Sequence, residues 1–243
     1  MIFETFFDNC KTFFELNSLS QPTQKESEKL FELTQIMLET NKVMNLTAIK
    51  EENSIILRHY IDSLLVSEYI PENAKIIDIG CGAGFPTLPL AIFRPDISIT
   101  AVDSTAKRIE YVKSTASKLE LQNVTAISAR AEDLGQNIDF REKFDIATAR
   151  AVASLPVLTE LCLPLVKKNG CFIAMKGSKA DQELADAQQA IKICGGSVSN
   201  IFTPSLITSN SESETRCIIQ IKKLSATPQN YPRHFSKISK KPL

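Results

Sequence analysis

Residues 76–86, IIDIGCGAGFP, place glycines at alternate positions (Gly80, Gly82, Gly84) directly after a β-branched run, with an acid, Asp78, two residues ahead of the first glycine. Glycine lacks a Cβ and lets the backbone turn sharply against a bound molecule, so the stretch reads as a strand running into a cofactor loop. A dinucleotide loop would put its third glycine three residues after the second and cradle a pyrophosphate at a helix N-terminus. Here that position is Phe85. A second acid, Asp103, closes the next apolar run, Ile97 to Val102, about 20 residues downstream of the loop. Two acids suit a cationic ligand with an ammonium, a sulfonium and a ribose diol, which points to S-adenosylmethionine and away from NAD. Asp78 is expected to serve the ammonium, directly or through water, and Asp103 to accept both ribose hydroxyls.

The elements that must hold these residues follow from the pattern. Apolar runs at 76–79, 97–102, 123–128, 144–148 and 171–175 alternate with helical stretches such as STAKRIEYVKSTASKLE, for which Ser104 is the expected N-cap. Alternation of this kind predicts an α/β fold with a mostly parallel sheet. The last elements, GGSVSNIFTPS and TRCIIQIKK, break it and read as two strands with a polar connection, an antiparallel hairpin at the sheet edge. Residues 1–70 are helical: Phe3, Phe6, Phe7, Cys10, Phe13 and Phe14 recur every three or four positions, as do Leu30, Leu33, Met37 and Leu38, and these faces are expected to pack on the core. Residues 71–223 then form the cofactor-binding domain. Residues 224–243, with Pro228, Pro232 and Pro242 among basic residues, read as an extended arm.

Composition narrows the function. The chain has 243 residues, 43% of them hydrophobic, enough for a full core. No apolar run approaches a membrane span, and the N-terminus carries Glu4, Asp8 and Glu15 inside its apolar pattern, unlike a signal peptide. A cytoplasmic, monomeric protein is expected. Six scattered cysteines without a CxxC pair argue against zinc and disulfides and for reduced packing residues, Cys81 in the loop included. The net charge is zero, yet seven basic and no acidic residues follow Glu214, leaving 21 basic against 28 acidic residues in positions 1–214. That asymmetry, with Tyr231, His234 and Phe235 interleaved, suggests a basic arm for RNA in which Arg233, Lys237, Lys240 and Lys241 meet phosphates. Its removal is expected to spare the cofactor site. A plain solvated tail would look the same in sequence.

Eight ordered stretches carry a family resemblance: NKVMNLTAI (41–49), RHYIDSL (58–64), DIGCGAGFPTLPLAI (78–92), VDSTAKRIEYV (102–112), RAEDL (130–134), ARAVASL (149–155), MKG (175–177) and YPR followed by KKPL. Together they resemble the small-subunit ribosomal RNA methyltransferase G family (RsmG, also called GidB), nearly end to end. The resemblance implies a Rossmann-like class I adenosylmethionine-dependent methyltransferase, with a seven-stranded sheet and N-terminal helices, that methylates N7 of guanine 527 in bacterial 16S rRNA, its partner being that RNA or the small subunit. It places cofactor contacts at Gly80, Phe85, Ala131, Glu132 and Arg150. Phe85 would be an apolar wall, and Ala131 and Glu132 would meet the adenine edge. Thr87 stands where many relatives have glycine.

Transfer to N7 needs no proton removed, because the nitrogen presents an in-plane lone pair. Positioning then replaces acid-base chemistry. Arg150 and Lys176, at the ends of the fourth and fifth strands, are the candidates for holding the guanine or a phosphate. His59 and Asp62, three apart on a helix, either line the substrate cleft or tie the N-terminal helices to the sheet. Two other readings stay open: a methyltransferase of another RNA, a small molecule or a protein, and an RNA-binding module with a vestigial cofactor site.

Overall fold

A computed structural model describes residues 2–209 and 212–243. Seven strands form one sheet in the order β3-β2-β1-β4-β5-β9-β6. The strands are β1 (Lys75–Ile79), β2 (Ser98–Asp103), β3 (Val124–Ser128), β4 (Phe144–Arg150), β5 (Val166–Lys176), β6 (Gly196–Phe202) and β9 (Cys217–Lys223). Strands β1 to β5 pair in parallel, while β9 slots antiparallel between β5 and β6. The expected edge hairpin is present, but its connection is not merely polar: it carries a small ribbon of β7 (Ser205–Ser209) and β8 (Glu212–Thr215).

Strand side chains alternate between the two faces. Ile76 and Ile146 face a core shared with α5 (Thr87–Phe93), α6 (Ala106–Lys118) and the N-terminal helices, while Ile77, Ile79 and Ala147 face a second core under α7 (Ala131–Gln136), α8 (Leu155–Cys162) and α9 (Ala180–Ile193). Helix α6 begins one residue later than expected. Its N-cap is Thr105, whose N–H is bonded to Asp103 Oδ1, because the strand runs on through Asp103.

The N-terminal helices α1 (Phe3–Leu16) and α2 (Gln24–Met44) bury Phe6, Cys10 and Phe14 against Leu30, Leu33 and Met37. The next helix runs from α3 (Glu52–Ile55) through a π-helical stretch, Ile56–Ile61, into α4 (Asp62–Leu64). Such wide turns concentrate at functional sites because they rotate side chains out of helical register. Here the stretch carries Arg58 and His59 and leads into Asp62. Among the described residues, no helix is long and apolar enough to cross a membrane.

The C-terminal segment is folded back, which corrects the reading of an extended arm. Arg141 donates to the carbonyls of Thr227, Pro228 and Tyr231, and Gln136 to those of Gln229 and Pro232. Helix α10 (Phe235–Lys240) then buries Ile238 completely against the second core. The prolines remove donors, so side chains of the body satisfy the segment's carbonyls instead.

Arg233 is part of this clamp. Its Nε and Nη2 grip the fully buried Glu160 carboxylate at 2.8 and 2.6 Å, and its backbone N–H adds a third bond. The guanidinium is committed to the fold, so the RNA role expected for it loses its free charge. Breaking such a pair from the exposed side strands a charge in the core, at about 3 to 5 kcal/mol. Arg233→Ala should fall at the low end, since the backbone bond survives, and Arg233→Lys should recover only part of the loss because it lacks the planar fork. Urea unfolding midpoints of the three proteins measure this.

Candidate functional site

Beyond the carboxyl ends of β1, β2, β4 and β5 lie two adjoining clefts separated by the segment Ala151–Val152, which lines both. Ala151 holds φ at +57°, a left-handed conformation unusual for a residue with a Cβ. Val152 lies across Gly80, so a Cβ on Gly80 would collide with its side chain. At Gly84 a Cβ would come within 2.5 Å of Leu88. Both glycines have positive φ, so the loop's shape and its packing each demand glycine.

The first cleft holds the expected cofactor residues Gly80, Asp103, Ala131 and Glu132. Asp103 sits at its floor, accepting from Gly82 N at 3.1 Å and Thr105 N at 2.8 Å, with Arg108 at 3.6 Å. Glu132 is 5% exposed, and its Oε1 accepts no hydrogen bond, Arg130 Nη1 standing off at 4.0 Å. A buried orphan acceptor is costly unless a ligand donor meets it. An acceptor for a diol and one for an exocyclic amine, on a glycine floor, fit S-adenosylmethionine.

The other expected cofactor contacts, Asp78, Gly82, Gly84, Phe85 and Arg150, do not line this cleft, and Arg150 lines the second one. The Asp78 carboxyl is buried under the loop and accepts from Thr87 Oγ1 at 2.6 Å and Thr148 Oγ1 at 3.0 Å. It therefore ties β1 to β4 and to the start of α5, and it lines neither cleft as it stands. Thr87 supplies the shorter of the two bonds. Burial pushes the Asp78 pKa up to about 6, against the lowering effect of the two hydroxyls. The Phe85 ring is stacked on His59 at 4.3 Å, with Arg150 5.7 Å above it, and so supports the second cleft instead of walling the first.

The second cleft is lined by Asp62, Arg150, Met175, Lys176, Glu183 and Arg216, among others. Asp62 bridges two arginines: Oδ2 accepts from Arg150 Nη1 at 2.8 Å and Oδ1 from Arg216 Nε at 2.7 Å. Glu214 takes the other side of Arg216 and also pairs with Arg58. Lys176 Nζ meets Glu183 and the Ala153 carbonyl, both at 2.6 Å. Arg150 and Lys176 thus flank one cleft, joined by Arg216 and Glu183, which no local pattern singled out. His59 is buried, its Nε2 3.0 Å from Thr47 Oγ1, and burial pulls its pKa down to about 4. It is an uncharged packing partner of Phe85, not a surface contact for RNA.

Cys81 lies under the loop, where burial raises its thiol pKa well above the ordinary value and makes it a poor nucleophile. Lys237, Lys240 and Lys241 are exposed and, among the described residues, make no ion pair. The expectation that the arm stands apart from the cofactor site is corrected by Phe235, which lines the first cleft.

Two outcomes follow. Asp103→Ala should weaken S-adenosylmethionine binding by about 1 to 3 kcal/mol, the worth of a charged hydrogen-bonding acceptor, by calorimetry; unchanged affinity removes Asp103 from the site. Asp78 is protonated more readily folded than unfolded. Its contribution to stability is therefore full below about pH 4 and is lost as pH rises through 6. Asp78→Asn, neutral throughout, should gain in unfolding midpoint relative to the native protein between pH 4 and 8.

Comparison with known proteins bears on the family and the fold. The family model described as rRNA small subunit methyltransferase G matches residues 26–210. A ribosomal RNA small subunit methyltransferase G of Lactobacillus delbrueckii subsp. bulgaricus is 43% identical, covering 96% of this chain and 98% of its own. The protein of that name from Oceanobacillus iheyensis is 47% identical over 91% and 92%. Among solved structures, YcgJ of Bacillus subtilis aligns with a TM-score of 0.52 over 69% of this chain and 100% of its own, at 15% identity. M. jannaschii TYW2, solved in complex with AdoMet, aligns at 0.53 over 67% and 74%, at 14% identity. These two share the fold, a Rossmann-like mostly parallel sheet. With its glycine loop, its paired clefts and relatives matching nearly from end to end, the chain belongs to the rRNA small subunit methyltransferase G family.

Proposed function

We propose that this protein methylates N7 of guanine 527 in bacterial 16S rRNA, with S-adenosylmethionine as donor. When bound, the cofactor supplies an electrophilic methyl on its sulfonium. Family membership supports the RNA class. The choice of N7 rests on one observation: the second cleft has cations and an apolar floor but no free base.

Every carboxylate lining it is engaged. Asp62 is shared between two arginines and Glu183 is paired with Lys176. His59 is neutral, buried and stacked. A reaction that had to strip a proton from an exocyclic amine or a hydroxyl would lack an acceptor here, whereas N7 already offers its lone pair. What remains for the protein is orientation and exclusion of water. Within its bonds Arg150 uses only Nη1, leaving guanidinium edges toward the cleft for the guanine O6 or a phosphate. Asp62 fixes both arginines, so their positions precede the substrate. The exposed Lys237, Lys240 and Lys241 supply further charge for the RNA backbone.

With saturating RNA and cofactor, the single-turnover rate should be flat between pH 6.5 and 8.5, and a tenfold rise per unit would reveal a catalytic base. Arg150→Ala should lower that rate strongly without creating pH dependence. Mapping N7-methylguanosine in 16S rRNA from cells with and without the protein decides the position: the modification at 527 should vanish in its absence, and its persistence would refute the assignment.

A further inference from the structure

Among the described residues, Phe235 is the one aromatic ring that lines the cofactor cleft. The rest of the lining is small or aliphatic, such as Gly80, Val102, Ala129 and Ala131, or charged. It remains 37% exposed although its helix is firmly docked, so the ring is held at the cleft mouth without being consumed by the core. The docking is specific: Ile238, on the adjoining face of the helix, is fully buried, and Arg233, two residues before the ring, is anchored on Glu160. Glu132, whose Oε1 accepts no hydrogen bond, lines the same cleft.

We propose that Phe235 is a cofactor-binding residue, covering the flat face of the adenine so that the C-terminal segment completes the S-adenosylmethionine site. A purine edge bonded to Ala131 and Glu132 leaves its faces apolar, and an aromatic ring is the surface that complements them. The helix geometry adds a coupling. Residues 235 and 238 share one face of α10, while Lys237 and Lys240 share the opposite, exposed one. On the reading that the substrate is RNA, phosphates drawn to those lysines hold the same helix over the cleft, and RNA and cofactor strengthen each other's binding.

Calorimetry with the full chain tests this using S-adenosylmethionine, S-adenosylhomocysteine and adenosine. Phe235→Ala should weaken all three by a similar factor of about ten, as expected for one lost base-to-ring stack. Phe235→Trp should restore most of it, and a chain ending at Arg233 should match Phe235→Ala. Circular dichroism and thermal melting keep folding separate from binding. Unchanged affinity for adenosine in folded Phe235→Ala overturns the proposal, as does weakening confined to the two ligands that carry the amino acid.

The RNA clause has its own arm. Lys237→Glu with Lys240→Glu should leave cofactor affinity unchanged without RNA and abolish its enhancement by a 16S rRNA fragment. If native protein shows no enhancement, the coupling is wrong. Failure of the RNA reading would then leave the Phe235 result standing, because that result is obtained without RNA.

Discussion

The sheet order places a constraint on everything else. Strands β1 and β4 are parallel neighbours, yet the chain leaves β1 toward β2 on one side and leaves β4 toward β5 on the other. Connections of fixed hand that run in opposite directions cannot cover the point where they diverge, so a crevice opens at the carboxyl ends of these two strands. The glycine loop and Asp103 occupy its β2 side, and Arg150 and Lys176 its β5 side. Buried Asp78, accepting from Thr87 and Thr148, bonds the two sides together beneath the opening. The two clefts adjoin at Ala151 and Val152, which line both.

Charge in the second cleft is held in advance. Arg58, Arg150 and Arg216 converge, but Asp62 and Glu214 lie between them, which limits their mutual repulsion and fixes their planes. In a cleft partly shielded from water such pairs cost desolvation, and their benefit lies more in geometry than in stability. The same carboxylates that orient the cations are themselves held in ion pairs. One arrangement thus both fixes the cations and occupies the carboxylates, which is what supports the proposed transfer without a base.

The C-terminal segment shows how a polar-looking tail becomes structure. Its prolines leave carbonyls without local partners, and Arg141 and Gln136 supply the donors. Of the seven cations after Glu214, Arg216, Lys223 and Arg233 are spent on Asp62, Glu142 and Glu160. Lys222 is exposed opposite Cys171, midway along β5, and lines neither of the two clefts. Only Lys237, Lys240 and Lys241 remain as exposed charge on the segment that reaches the cofactor cleft.

What the sequence determined by itself was local: the strand before the glycine loop, the acid closing β2, the alternation of strands and helices, the helical N-terminal region and the apolar setting of the cysteines. Each is written in a period of two or three to four residues, or in the turn chemistry of glycine, and needs no distant partner to be read. The tertiary structure decided which charges are free. Arg216 reaches Asp62 across 154 positions and Arg233 reaches Glu160 across 73, and nothing in spacing distinguishes those arginines from solvated ones. It likewise moved Phe85 from the cofactor wall onto His59, put Asp78 beneath the loop, and carried Phe235 from the tail to the cofactor cleft. A side chain's neighbours across a sheet depend on strand order and on which face it occupies, and these are set only when the whole core closes.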